Sequence, residues 1–262
     1  MKKIAVIGAG NMGSAIASSL QNHGDRIVCT AASQSTLDKI RCELSEVETT
    51  LSNIKAVENA DIIVLAIKPF IAAGVIEEIK EHIKPGAVIM SVIAVLPINE
   101  LRNALGADEK QLQVIRIVPN TAIKYGKSVT FLSAADDVSP EIIADAEEIF
   151  NRSGKAFIVK EKDLPVCTAL ASCGIAFFLR FIRAAAEGSV ELGLRASFAT
   201  KIAALTAEGA AALLADGSHP EAEIDKVTTP GGITIKGLNA LEENGFNHAV
   251  IAALRASCVD NA

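Results

Sequence analysis

An α/β chain, with a doubly wound parallel sheet over residues 1–160 and an all-helical domain over residues 161–262, is what the sequence predicts, and three observations predict it. The chain opens on an apolar run, Ile4 to Ile7, that meets a GxGxxG string, Gly8-Ala9-Gly10-Asn11-Met12-Gly13, and then an amphipathic helical pattern. Short runs rich in Val, Ile and Leu alternate with helical-period segments as far as Val159. Beyond Lys160 the strand patterns stop and helical spacing continues.

Composition bounds the classes. With 262 residues, 50% of them hydrophobic, the chain can bury a real core and is not of the disordered type. Aromatics make up 4% and Trp is absent, so Ala, Ile, Val and Leu build that core. The net charge is −6 and Lys and Arg are scattered, which leaves no electrostatic footprint for nucleic acid. No run is read as reaching membrane-spanning length, and no membrane partner is expected. Cys29, Cys42, Cys167, Cys173 and Cys258 are odd in number and lack CxxC spacing or a ligand-spaced His, so they read as reduced thiols and no metal is expected. Lys2 and Lys3 before an apolar stretch mimic a secretory signal, but the run stops at Gly8 and polar Asn11 follows, so a cytoplasmic location is expected.

In the first element Gly8 permits the tight turn, Gly10 lets a pyrophosphate approach the backbone, and Gly13 allows close helix packing, with Ala9, Asn11 and Met12 completing the loop. Ala15, Ile16 and Leu20 continue the buried face of a helix that ends near Gly24. Placed after a strand and before a helix, the string marks a Rossmann-type dinucleotide site. The second strand, Ile27 to Ala31, ends where an NAD-specific site presents an Asp or Glu to the ribose 2′-hydroxyl, and this chain has Ala32-Ser33-Gln34-Ser35 there. No carboxylate repels a 2′-phosphate, and Ser33, Gln34 and Ser35 can donate to one, so NADP(H) is the preferred cofactor and NAD(H) the alternative. No Arg stands in the turn, Lys39 being the nearest cation, and a solvated turn that caps the next helix is the plain alternative.

After Thr49 to Asn53 comes a strand from Ile62 to Ile67, with Asp61 in the turn before it and Lys68-Pro69 after it. A helix from Ile71 to Ile83, the turn Pro85-Gly86, a strand Ala87 to Ser91 and a helix from Pro97 lead to a fifth strand, Leu112 to Val118. Its end, Pro119-Asn120-Thr121, faces the same crevice as the glycine loop. A strand Ser128 to Leu132, a helix Pro140 to Phe150 and a strand Ala156 to Val159 complete the sheet's far edge.

The helical half opens at Asp163 and Pro165, keeps register to Gly193, continues through Ala-rich Ser197 to Ala215, and ends in a helix from Phe246. Ala203, Ala204, Ala207, Ala210 and Ala211 allow close helix approach. About one hundred residues of apolar helix have little room to bury both faces alone, so a homodimer is expected. Within this half, Pro230 ends any preceding helix, Gly231 and Gly232 free the backbone to approach a ligand, and Ile235, Leu238 and Leu241 keep helical spacing from Ile233 onward. Unpaired first-turn N–H groups and the helix dipole make an anion site there, to which Thr228, Thr229 and Thr234 add hydroxyls, and a carboxylate suits it. A capped helix after a tight turn is the plain alternative.

The stretch Lys226 to Leu241 closely resembles the signature of the pyrroline-5-carboxylate reductase family, matching in Val227, Pro230-Gly231-Gly232, Thr234, Leu238 and Leu241, with Glu242 just beyond. The resemblance runs from the glycine loop to the helix near His248. Ala66-Ile67-Lys68-Pro69 resembles the family's Ala-Val-Lys-Pro, which implies a place beside the nicotinamide ribose, and Asn53 matches its cofactor-contacting Asn. Arg116 to Ala122 is similar to Arg-x-Met-Pro-Asn-Thr-Pro, which adds Asn120 to the cofactor set. The family tends to carry small residues near the nicotinamide where this chain has Val92-Ile93-Ala94, so Ile93 and Ala94 join that set and the bulk of Val92 and Ile93 is a departure. A larger departure is Ala171-Ser172-Cys173-Gly174-Ile175-Ala176-Phe177 in place of Ser-Gly-Ser-Gly-Pro-Ala-Tyr.

The resemblance implies NAD(P)H-dependent reduction of 1-pyrroline-5-carboxylate to L-proline, the last step of proline biosynthesis. Thr229, Gly231, Gly232, Ile233 and Thr234 would bind the substrate carboxylate, largely by backbone N–H, and Thr234, the expected catalytic residue, would also reach the ring nitrogen. A cyclic imine protonated at nitrogen is already an electrophile, in keeping with the lack of a strong acid–base pair. His23, His82, His219 and His248 stand apart outside any triad or metal motif, and Glu221, Glu223 and Asp225 alternate along a solvated stretch. Asp216 and Gly217 occupy the place of a substrate-side Glu in relatives and are assigned no role. In the family the helical domain interlocks two subunits, and some members form decamers. Two other readings stay open. A dehydrogenase of the 6-phosphogluconate-dehydrogenase-like type would carry a catalytic Lys on the long helix, and Asp163 to Val190 has none; the other is a non-catalytic NADP-binding sensor.

Overall fold

Alternating burial builds the sheet. Along β1 (Lys3–Ile7), Ile4 and Val6 enter one apolar cluster and Ala5 and Ile7 the other, so the strand is covered on both faces. The computed structural model, which describes residues 1–21 and 23–258, repeats this in β4 (Ile62–Leu65) and β5 (Val88–Ser91). With β2 (Arg26–Thr30), β3 (Val47–Thr50), β6 (Gln113–Val118), β7 (Ser128–Ala134) and β8 (Gly154–Ile158), the strand order is β3-β2-β1-β4-β5-β6-β7-β8. Every pairing is parallel except β6 with β7, where Ile117 faces Leu132 in antiparallel register. One cluster takes the inner faces of α1 (Asn11–Leu20), α2 (Gln34–Glu43) and α6 (Pro140–Asn151). The other takes those of α3 (Asn53–Val57), α4 (Pro69–Ile79) and α5 (Ile98–Leu105). The chain order reverses between β1 and β4, which opens a crevice at the carboxyl ends of those strands.

Strand β3 is absent from the sequence reading, and the reason is physical. It is a four-residue edge strand, Val-Glu-Thr-Thr, with only Val47 buried, so neither alternation nor an apolar run announces it; pairing with β2, Ile27 opposite Val47, creates it. The first compact unit runs from Met1 to Ser172, beyond the Lys160 at which the strand patterns end. Leu164, in the short α7 (Leu164–Cys167), is buried, and the Ser172 hydroxyl donates to the Pro119 carbonyl at 3.3 Å, which ties this segment to the sheet unit.

In the second unit the regular elements among the described residues, from Cys173 to Cys258, are all helices: α8 (Gly174–Glu191), α9 (Ala196–Ala212), α10 (Pro220–Lys226), α11 (Ile233–Glu243) and α12 (Phe246–Ser257). Among the described residues its buried positions are few and small, Gly174 and Ala186 on α8 and Ala199 on α9, while Phe178, Leu179, Phe198, Leu205 and Ile251 lie exposed. The expectation that no run reaches membrane-spanning length is corrected here. Glu161–Glu191 is one helical run of 31 residues, including a π turn at Thr168–Cys173, and an 18-residue stretch within it, with a mean hydropathy of 1.8, is apolar enough to qualify by length and composition.

Candidate active site

The glycine loop is shaped by contacts that only these residues allow. Gly8 sits at φ +90°, and a Cβ there would meet Ala66 O at 2.9 Å; a Cβ on Gly13 would meet Gly8 O at 2.4 Å. A Cβ on Gly10, by contrast, would meet nothing within 4 Å, so the face of the loop at the mouth of α1 is open to a ligand. Gly10 also gives α1 no side-chain cap, and the first turn of the helix presents the N–H groups of Asn11, Met12 and Gly13. That arrangement fits a dinucleotide pyrophosphate, the expectation for Gly8, Ala9, Gly10, Asn11, Met12 and Gly13. The loop is held from below by a residue the sequence reading did not single out: buried Thr30 accepts from Gly8 N–H through its hydroxyl at 3.1 Å, and its carbonyl accepts from Ala9 N–H at 2.6 Å.

Neighbouring strands deliver the other expected cofactor residues to the same edge. Ala66 N–H donates to Ile7 O at 2.8 Å and Val92 N–H to Leu65 O at 3.0 Å, which stitches the ends of β1, β4 and β5 together. Lys68 is the N-cap residue of α4 and Pro69 its first residue, while Ile67 lies beside Gly8. Ile93 is buried, with its N–H on Ser91 Oγ at 3.3 Å, and Ala94 is exposed. Asn53 begins α3 and its carboxamide donates to Glu78 at 2.9 Å, a partner not foreseen. Asn120 is buried and its carboxamide is committed inside the protein, accepting from Ala122 N–H at 3.0 Å and donating to Ala171 O at 3.2 Å. It shapes the rim of the crevice from within.

Ser33 caps α2, accepting from Thr36 N–H at 3.3 Å, and its hydroxyl lies 3.1 Å from that of Ser35 and 2.9 Å from that of Thr36. Three hydroxyls thus gather at a helix N-terminus past the end of β2. Gln34 turns along the helix instead and donates to Asp38 at 2.7 Å. Beneath the loop, burial pushes the Cys29 thiol up to about 12, which keeps it protonated and inert.

In the second unit the residues expected on the substrate side form one turn. Gly231 lies at φ +69°, Gly232 N–H donates to Thr229 O at 3.0 Å, and a Cβ on Gly232 would meet the Thr229 hydroxyl at 2.5 Å. Gly232 precedes α11 without capping it, so the first turn, holding exposed Ile233 and Thr234, presents its N–H groups to an anion. The Thr228 hydroxyl does not belong to this group: it donates to Ile224 O at 2.7 Å and closes the end of α10. Glu223 is no acid either, since Lys226, and behind it the Ser218 hydroxyl, hold its carboxyl below the usual range. His219 caps α10, its ring accepting from Glu221 N–H at 3.3 Å.

Comparisons with known proteins cover both units of the chain. A model of the pyrroline-5-carboxylate reductase dimerisation domain matches residues 161–262, and a model described as an NADP oxidoreductase, coenzyme F420-dependent, matches residues 3–95. Pyrroline-5-carboxylate reductase 1 of Dictyostelium discoideum is 39% identical over 97% of this chain, which spans 48% of that longer relative. Pyrroline-5-carboxylate reductase 2 of the same organism is 37% identical over 97% of this chain and 90% of its own length. The crystal structure of Plasmodium falciparum pyrroline carboxylate reductase with NADP bound has a TM-score of 0.86 at 27% identity, covering 98% of this chain and 95% of that one. A shared sheet would account for the first unit alone, whereas these matches run through both, and the chain belongs to the pyrroline-5-carboxylate reductase family.

Proposed function

We infer that the chain is an NAD(P)H-dependent oxidoreductase that reduces the C=N bond of 1-pyrroline-5-carboxylate to give L-proline, the last step of proline biosynthesis. The observation that carries this reading is the uncapped first turn of α11 behind Thr229, Gly231 and Gly232, an anion site within the family's signature. The nicotinamide cofactor, when bound, supplies the hydride. The residues at the start of α11 hold the substrate carboxylate by backbone N–H, and the Thr234 hydroxyl serves the ring nitrogen as it becomes an amine. Hydride at the imine carbon and the proton already on nitrogen complete the amine, so no strong acid or base is required of the chain. Adding 1-pyrroline-5-carboxylate to protein and NADPH should start a steady loss of NADPH absorbance with proline as product. Binding of NADPH without turnover would replace this reading by that of a sensor.

NADPH is the preferred donor. The hydroxyls of Ser33, Ser35 and Thr36 at the start of α2 suit a 2′-phosphate, and no carboxylate stands at the end of β2 to repel one. Ser33→Asp should move the ratio of kcat/KM values toward NADH. Equal use of both cofactors by the unmodified protein would remove the basis for that expectation.

The working form is a homodimer, in which the exposed apolar residues of α8, α9 and α12 meet a second copy rather than lipid. The match of residues 161–262 to a dimerisation domain supports this. Light scattering without detergent should give at least twice the monomer mass, and an active monomer would overturn it.

A further inference from the structure

The carboxyl end of β5 leads into the segment Val92–Pro97 on the crevice edge, and this segment is tied at both ends. At its start Ile93 N–H donates to the hydroxyl of Ser91, which is buried. At its end the first amide of α5, Ile98 N–H, donates to Glu161 Oε1 at 2.8 Å. The same oxygen accepts from Arg116 Nη1 at 2.8 Å, and Arg116 is a guanidinium in the middle of β6, only 6% exposed. Ser91 and Arg116 are register partners across β5 and β6, so both ties rise from one buried polar row of the sheet. Burying an arginine there is costly unless it is paired, and an apolar side chain would fill the position at less expense. Between the ties sits Val95, exposed and at φ +58°, a conformation that disfavours a β-branched residue and persists where its surroundings over-determine the backbone. Glu161 also stands just after the last strand, where the chain leaves the sheet.

We propose that Glu161 is a positioning residue for hydride transfer: paired with buried Arg116, it holds the Val92–Pro97 segment taut at the nicotinamide edge of the crevice. The inference rests on the reductase reading above. It touches neither cofactor nor substrate itself; its effect is on the geometry of the segment that does, and small displacements of such a wall are felt mainly in the chemical step.

Glu161→Gln keeps an oxygen for Ile98 N–H while removing the charge opposite Arg116. It should lower kcat on the order of tenfold, with KM for the imine and the dissociation constant for NADPH changed less than about threefold. Ser91→Ala, which loosens the other end, should give the same split more weakly. Arg102→Ala is the control, because it breaks the pairs of α5 with Asp108 and Asp137 away from the segment. It should lower the melting temperature and leave kcat as it was. Amide hydrogen exchange of Val92 to Ile98 tests the tie without any substrate and should quicken on the order of tenfold in Glu161→Gln. Faster exchange with no turnover in the parent protein would fault the reductase reading and keep the tie. Unchanged exchange, or a kcat that falls only in step with loss of folded protein as in Arg102→Ala, would overturn the proposal.

Discussion

Gly13→Ala should weaken NADPH binding on the order of tenfold to a hundredfold, the range that corresponds to overpacking of about 1–3 kcal/mol. The added methyl would sit 2.4 Å from the Gly8 carbonyl oxygen and 3.2 Å from Ala66 Cβ, and neither is the far end of a flexible side chain. Helix or loop must therefore move, and the first-turn amides of α1 move with them. Part of the loss appears in the melting temperature, since α1 also carries the core residues Ile16, Ala17 and Leu20. Gly10→Ala separates the two effects. Its methyl meets no protein atom within 4 Å, so the fold should be unaffected while the approach of the pyrophosphate is blocked. Fluorescence titration with NADPH measures both variants, and parent-like affinity in Gly13→Ala would mean that this loop does not seat the cofactor.

Thr234→Ala should lower kcat/KM for 1-pyrroline-5-carboxylate on the order of tenfold to a hundredfold, the equivalent of about 1.5–3 kcal/mol for a hydrogen bond to a charged group. Thr234 occupies the exposed first turn of α11, where the amides of the same turn remain to hold the carboxylate after the hydroxyl is gone. The loss should therefore fall on kcat, because the contact with the developing amine is stronger in the transition state than in the ground state. Thr234→Ser keeps the hydroxyl and should keep most of the activity. A rise in KM alone would assign Thr234 to carboxylate binding, and parent-like kinetics would take it out of the site.

What could be read from the sequence was local. Residues 8–13 announce their own geometry, because a tight turn, a close ligand approach and a close helix packing each demand glycine at a set spacing. The start of α11 at Ile233 and of α12 at Phe246 could likewise be seen, from Pro230-Gly231-Gly232 and from resumed apolar spacing. What could not be read depends on partners distant in the chain. Nothing near Glu161 indicates that its carboxylate belongs to Arg116, 45 residues earlier, or near Asn53 that Glu78 holds its carboxamide. Asn120 shows the limit from the other side: its place at a strand end was right, but its carboxamide is bound to Ala171. The short β3 exists only through its neighbour, and the helical run through Glu191 qualifies as membrane-length only when an 18-residue stretch inside it is averaged apart from the charged residues at its ends.

The scarcity of buried residues in α8 and α9 has a consequence for how the helical half holds together. Its private core is little more than Gly174, Ala186 and Ala199, while large side chains such as Phe178 and Phe198 face outward. In the homodimer proposed above, a domain of that kind would draw much of its folding free energy from association. Stability would then obey mass action: dilution would weaken the fold itself, and the rate at which new chains find one another would govern how long those phenylalanines stay open to misassembly.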